Sequence, residues 1–158
     1  MSRPLVIAAN WKMHKTAADA VAYFEAFARH APAPHAAVEL AFFPPFPILE
    51  TVARSAKARP DASVGAQNCH WEKEGAFTGE VSARMLSDLG CRYAIVGHSE
   101  RRALFGESDA LVARRAPALP AAGIRPIVCV GETLEQREAV RTFDVLAAQV
   151  TGSLASVP

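Results

Sequence analysis

Tyr93-Ala94-Ile95-Val96-Gly97-His98-Ser99-Glu100-Arg101-Arg102 is the stretch on which the fold turns. Its first four residues are apolar without a break, which suits a strand buried on both faces rather than one with a wet side. Gly97 punctuates the run, and Ser99–Leu104 is helix-prone. Strand therefore passes to helix across one short turn, and that turn carries a histidine. Such a unit belongs to a parallel sheet covered by helices.

The same pattern repeats outward. Leu5–Ala9, Val38–Phe43 and Ile127–Val130 read as buried strands, and Ser63–Ala66 as a weaker one between turn-prone residues. Helical patterns fill the gaps. Ala17, Ala20, Val21, Phe24, Phe27 and Ala28 form one apolar stripe, with Thr16 and Asp19 spaced as a capping box and Pro32 and Pro34 as a stop. Pro47 suits a helix start. Val81–Leu89 should end at Gly90, and Thr133 with Gln136 should open a last helix running to about Gln149. Ser108 and Asp109 open another, but Pro117 and Pro120 predict a break near Ala116. Asn68–Gly79 has two glycines and no apolar period, so it reads as a projecting loop. The class is α/β.

Strand starts recur about every 30 residues, and two architectures accept that rhythm. A flavodoxin-like open sheet uses five strands and would close at this length; periodicity alone favours it. An eight-unit (β/α)₈ barrel would need about 244 residues, close to the roughly 250 typical of that fold, and so about 86 beyond Pro158.

Composition narrows the function. The 158 residues are 51% hydrophobic and 21% charged, enough for a packed core. A net charge of +1 gives no basic field for nucleic acid or an anionic membrane, and no apolar run is long enough to span a bilayer. Met1-Ser2-Arg3-Pro4 does not open a signal peptide. Three cysteines, Cys69, Cys91 and Cys129, without a C-x-x-C spacing speak against a disulfide framework or a four-ligand zinc site and suit a reducing, cytoplasmic setting. Cys129 should pack as a small apolar residue. His14, His30, His35 and His70 show no ligand spacing and read as surface or interface residues.

The turns after the strands carry the chemistry. They are Asn10-Trp11-Lys12-Met13-His14-Lys15, Gly65-Ala66-Gln67-Asn68-Cys69, Gly97-His98-Ser99-Glu100-Arg101-Arg102 and Gly131-Glu132-Thr133. A doubly wound nucleotide binder would show a glycine-rich phosphate turn after its first strand, and neither G-x-G-x-x-G nor a P-loop occurs. Taken singly, Lys12 would pass as a solvated charge, His98 as a structural histidine, and Glu100 and Asn10 as a helix-terminal acid and a turn residue.

Together they say more. Ala9-Asn10-Trp11-Lys12-Met13, Gly65-Ala66-Gln67-Asn68, Gly75-Ala76-Phe77-Thr78-Gly79-Glu80, Val96 to Arg102, and Val128 to Leu134 stand in one order and cover nearly the whole chain. In that order and spacing the chain resembles the triosephosphate isomerase family. The resemblance implies an α/β fold of (β/α)₈ TIM-barrel type, here five parallel βα units and therefore incomplete, with residues 1–158 as a single partial domain. It implies an isomerase of glycolysis and gluconeogenesis that interconverts dihydroxyacetone phosphate and D-glyceraldehyde 3-phosphate, with no cofactor and no metal. By the same resemblance Lys12 and His98 are catalytic, Asn10 and Lys12 bind substrate, and Glu100 and Ser99 support. Thr78, Gln67 and Asn68 are dimer contacts, the loop carrying Thr78 reaching a neighbouring subunit. The resemblance also implies that His98 acts as a neutral electrophile, paired in this family with a glutamate base.

The roles are chemically sensible, since proton transfer between two carbons needs a stabilised enediolate oxygen and a base. One departure is large. The family's base lies in an Ala-Tyr-Glu-Pro-Val-Trp-like stretch after the sixth strand, and nothing in the chain matches it or the later phosphate-binding turns. His14 stands where asparagine is common in relatives. The sequence thus predicts a truncated isomerase, inactive or nearly so alone. Its first and last strands would be open apolar edges, favouring a homodimer or higher self-association. The other reading is a non-catalytic, self-associating folding fragment or assembly module.

Overall fold

The computed structural model of the chain describes residues 5–157; the expectation for Met1–Pro4 lies outside them. In chain order the elements are β1 (Leu5–Asn10), α1 (Ala17–His30), β2 (Val38–Phe43), α2 (Leu49–Ala56), β3 (Ala62–Ala66), α3 (Ala83–Asp88), β4 (Tyr93–Val96), α4 (Ser99–Phe105), α5 (Asp109–Arg115), β5 (Arg125–Val128), α6 (Leu134–Glu138) and α7 (Thr142–Ser153). The five strands form one sheet in sequence order, not the 2-1-3-4-5 order of the flavodoxin-like sheet that periodicity alone favours. The chain comprises two compact units. One holds the chain up to Gln67 with Arg84–Ala94; the other holds Asn68–Ala83 and the chain from Ile95 onward.

In the first unit β1 pairs in parallel with β2 along its whole length, from Leu5 opposite Val38 to Asn10 opposite Phe43. β2 pairs with β3, and Gly65 and Ala66 of β3 lie opposite Tyr93 and Ala94. Helix α1 starts at the expected capping box. The Thr16 N–H and O–H both donate to Asp19 Oδ2 at 2.8 Å, and the Asp19 N–H returns to Thr16 Oγ1. Those bonds hold the Asp19 carboxyl below the usual carboxylate range, the Thr16 backbone N–H contributing most. The apolar stripe of α1 packs Tyr23, Phe24 and Phe27 against Trp11 and Phe42, with ring centroids 5.1–6.3 Å apart among the edge-on and tilted pairs of Trp11 and Phe42. Such pairs contribute about 0.5–1.5 kcal/mol each beyond burial. Gly65 is glycine for lack of room: a Cβ there would lie 2.3 Å from Phe43 Cε1. Leu5 and Ile7 of β1 are 59% and 52% exposed, so this strand's apolar side chains do face outward.

In the second unit Cys129 N–H donates to Val96 O at 3.0 Å, joining the end of β4 to the segment just past β5. Here the structure corrects the sequence reading. The strand expected at Ile127–Val130 is Arg125–Val128; Cys129 still bonds to β4, and Gln149 ties the backbone beyond it at Gly131. Its Oε1 accepts from the Gly131 N–H at 2.8 Å and its Nε2 donates to Gly131 O at 3.0 Å, drawing the chain toward α7. The last helix is also not continuous. The Thr133–Gln136 capping box opens α6, which stops at Glu138. Arg141 N–H then donates to Gln136 O and Val140 N–H to Arg137 O, the two bonds of a Schellman turn, and Val140 occupies its left-handed position at φ 57°. Helix α3 is shorter than expected and ends in the same motif, with Gly90 at φ 81°. The break near Ala116 occurs as predicted, α5 giving way to two 3₁₀ turns at Ala116–Ala118 and Pro120–Ala122. Among the described residues no helix is long and apolar enough to cross a membrane.

Candidate functional site

The turn after β1 is held at both the N–H and the carbonyl of one residue, Lys12. Asn10 ends the strand, and the Trp11 N–H continues the ladder to Phe43 O at 3.0 Å while its ring sits in the aromatic cluster. The chain then enters the left-handed region at Lys12, φ 52°, which a side chain with a Cβ adopts at a cost of about 1–2 kcal/mol. Two side chains enforce it. Asn10 Oδ1 accepts from the Lys12 N–H at 2.9 Å, and Gln67 Nε2 donates to Lys12 O at 2.8 Å. The same amide nitrogen donates to Phe43 O at 2.8 Å, so Gln67 ties the turn to the end of β2. Lys12 itself is exposed. Beyond it Lys15, also left-handed, sets its ammonium 5.3 Å from the ring centres of both Trp11 and Tyr23. An open hollow of about 730 Å³ lies here against Asn10, Trp11, His14, Lys15 and Tyr23.

The turn after β4 is built differently. Gly97 is buried at φ 70°, and a Cβ would lie 2.9 Å from Val112 Cγ2. His98 caps α4. Its Nδ1 accepts from the Glu100 N–H at 3.3 Å, and its carbonyl accepts from Arg101 and Arg102. An accepting Nδ1 leaves Nε2 as the donor nitrogen of the ring. Glu100 Oε2 stands 3.5 Å from Nδ1. The imidazole is mostly buried, whereas Ser99 is exposed. Glu132, after the fifth strand, is mostly buried and paired with Arg137 at 3.0 Å.

The segment after β3 is a tied loop rather than a slack one. His70 N–H donates to Val81 O at 2.8 Å. The His70 ring, read from sequence as surface or interface, is buried between Trp71 and Phe77 at centroid distances of 4.1 and 4.2 Å, because two neighbouring aromatic faces cover it. Trp71 in turn carries the Arg114 guanidinium at 3.9 Å. Asn68 is buried at the loop's root and Thr78 is exposed near its tip. Nearby, buried Glu107 accepts from both Arg101 and Arg115. Burial pushes the Cys69 thiol up to about 12. Among the described residues no three of His, Cys, Asp and Glu gather closely enough to hold a metal ion.

The sequence-predicted residues thus fall into two groups. Asn10, Lys12 and Gln67 meet in one turn; His98, Ser99 and Glu100 meet in another. Sequence reasoning missed that Gln67 reaches Lys12 within the chain, since no spacing signals a contact across 55 residues.

The family model described as triosephosphate isomerase matches residues 5–158. The chain belongs to the triosephosphate isomerase family. It is 52% identical over 155 residues to the triosephosphate isomerase of Thermus thermophilus, covering 98% of this chain and 61% of that protein. The Aquifex aeolicus triosephosphate isomerase is 47% identical over 152 residues, 96% of this chain and 61% of the relative. That of Syntrophotalea carbinolica is 51% identical over 150 residues, 95% and 58% respectively. The chain therefore spans about three-fifths of the length of these relatives of the triosephosphate isomerase family.

Proposed function

We propose that residues 1–158 are one partial barrel domain supplying the electrophilic half of a triosephosphate isomerase site. Lys12 places a fixed positive charge beside the substrate's phosphate and carbonyl oxygen. His98 donates from Nε2 to that oxygen as the enediolate forms. Asn10 orders the Lys12 turn, and Glu100 and Ser99 support His98. The reaction takes dihydroxyacetone phosphate to D-glyceraldehyde 3-phosphate and back in a cytoplasmic setting. A second copy docks at the exposed Thr78, with Gln67 and the buried Asn68 holding the root of that loop, and the exposed Leu5 and Ile7 favour such self-association.

One observation carries this reading: Lys12 is a non-glycine residue held in the left-handed region by two separate side chains. Strain that the surroundings over-determine marks sites where a side chain must point one way. The chain contains no counterpart of the family's glutamate stretch, and Glu132 is engaged by Arg137. A positioned base contributes about 10²–10⁴-fold. A coupled isomerase assay on the purified chain is therefore expected to run at least ~10²–10⁴-fold slower than a complete isomerase. Near-normal turnover would overturn the division of labour and mean that a carboxylate within the chain acts as base.

A further inference from the structure

Arg102 makes more directed contacts than any surface arginine needs. Its Nε donates to Gly97 O at 2.8 Å, Nη1 to Asp109 Oδ1 at 2.6 Å, and Nη2 to Cys129 O at 3.2 Å and Ser153 Oγ at 3.1 Å. Fully buried Ser153 closes the ring by donating to Asp109 Oδ1 at 3.0 Å. Four of the five guanidinium hydrogens are thereby used, in a fixed planar fork that lysine cannot reproduce. The groups gathered come from the turn after β4, the start of α5, the segment past β5 and the end of α7.

One contact bears on chemistry. Gly97 O belongs to the peptide that leads into His98, and Gly97 alone can take the left-handed conformation there without meeting Val112 and the Arg102 guanidinium. The His98 ring is held on its other side by the Glu100 N–H. We propose that Arg102 is a positioning residue for His98: by clamping the Gly97–His98 peptide against the carbonyl of Cys129 and the carboxylate of Asp109, it sets the direction in which Nε2 points. Asp109 acts through Arg102, holding the guanidinium plane. The proposal rests on the catalytic reading of His98 above, but its geometry can be read without turnover.

The test is a long-range ¹H–¹⁵N spectrum of the purified chain labelled at histidine nitrogen, which reports both ring nitrogens of His98. In Arg102→Lys both signals are expected to shift, while those of His14 and His30 stay. In Asp109→Asn, which keeps the side-chain size, a smaller shift in the same direction is expected, and this variant decides the matter should Arg102→Lys fail to fold. Ser153→Ala removes one partner of Nη2 but leaves the Gly97 bond, so the His98 signals should hold their wild-type positions even if the melting temperature falls. Wild-type His98 signals in a folded Arg102→Lys or Asp109→Asn, or an equal shift in Ser153→Ala, would overturn the proposal in favour of a purely structural arginine. None of these outcomes depends on isomerase activity, so loss of that reading and loss of this one are told apart.

Discussion

Lys12 and Val140 adopt nearly the same left-handed backbone, φ 52° and 57°, yet for different reasons. Lys12 is held by two side chains: Asn10, two residues back, on its N–H, and Gln67, 55 residues on, on its carbonyl. Val140 is held by the turn that closes α6, where Arg141 and Val140 donate to Gln136 and Arg137, and its side chain is 90% exposed. Gly90 fills the same position after α3 without a Cβ to cross. Strain at Val140 is thus local and removable. At Lys12 two strand ends are organised to keep it, which is what a side chain with a chemical task requires.

The largest expected effect strikes the Lys12 side alone. Gly65→Ala forces a Cβ against the Phe43 ring, beneath the carbonyl that shares Gln67 with Lys12. Overpacking of this kind costs about 3 kcal/mol at the upper end of its range, to be read as a lower urea midpoint. A wild-type midpoint would mean that Phe43 swings away freely and that the strand ends are not the rigid support described. Next, Gln67→Leu leaves Lys12 O and Phe43 O without this donor, costing about 1–3 kcal/mol by the same measurement.

Val140→Gly tests the other side of the comparison. Relief of left-handed strain outweighs the extra freedom of glycine in the unfolded chain, for an expected gain of about 1 kcal/mol and a higher melting temperature. A loss would show that Val140 packs against something of value. The smallest effect compares the two cores directly. Burial raises Cys91 in the first unit and Cys69 in the second from 9.0 to about 12. A thiol raised on folding supports stability fully below its unfolded value near 9, and that support is lost as pH climbs from 9 toward 12. Between pH 9 and 10 each thiol should remove roughly 1 kcal/mol, measured by urea unfolding. Cys91→Ala and Cys69→Ala should each flatten their share of that decline, and an unchanged slope would contradict the burial.

The sequence made the fold legible where local signals were strong: unbroken apolar runs for the strands, the Thr16–Asp19 and Thr133–Gln136 boxes, and the prolines behind the break at Ala116. It misjudged the end of β5, beyond which the chain is tied to a partner distant in sequence, and the length of the last helix, which a local turn interrupts. Gln149 capturing Gly131 lies 18 residues away, and a valine gives no warning of a turn that glycine usually fills. The site was legible as a set of turns after strands. Its supports were not: Gln67 on Lys12 and Ser153 on Arg102 span 55 and 51 residues, beyond any periodicity.

The central claim is that Lys12 and His98 supply half of an isomerase site. Its most direct test adds to this chain the portion of the Thermus thermophilus relative that lies beyond the matched region, and follows the isomerase rate. The wild-type chain is expected to recover part of the rate, and Lys12→Ala and His98→Ala none of it. Equal recovery with Lys12→Ala would contradict the account.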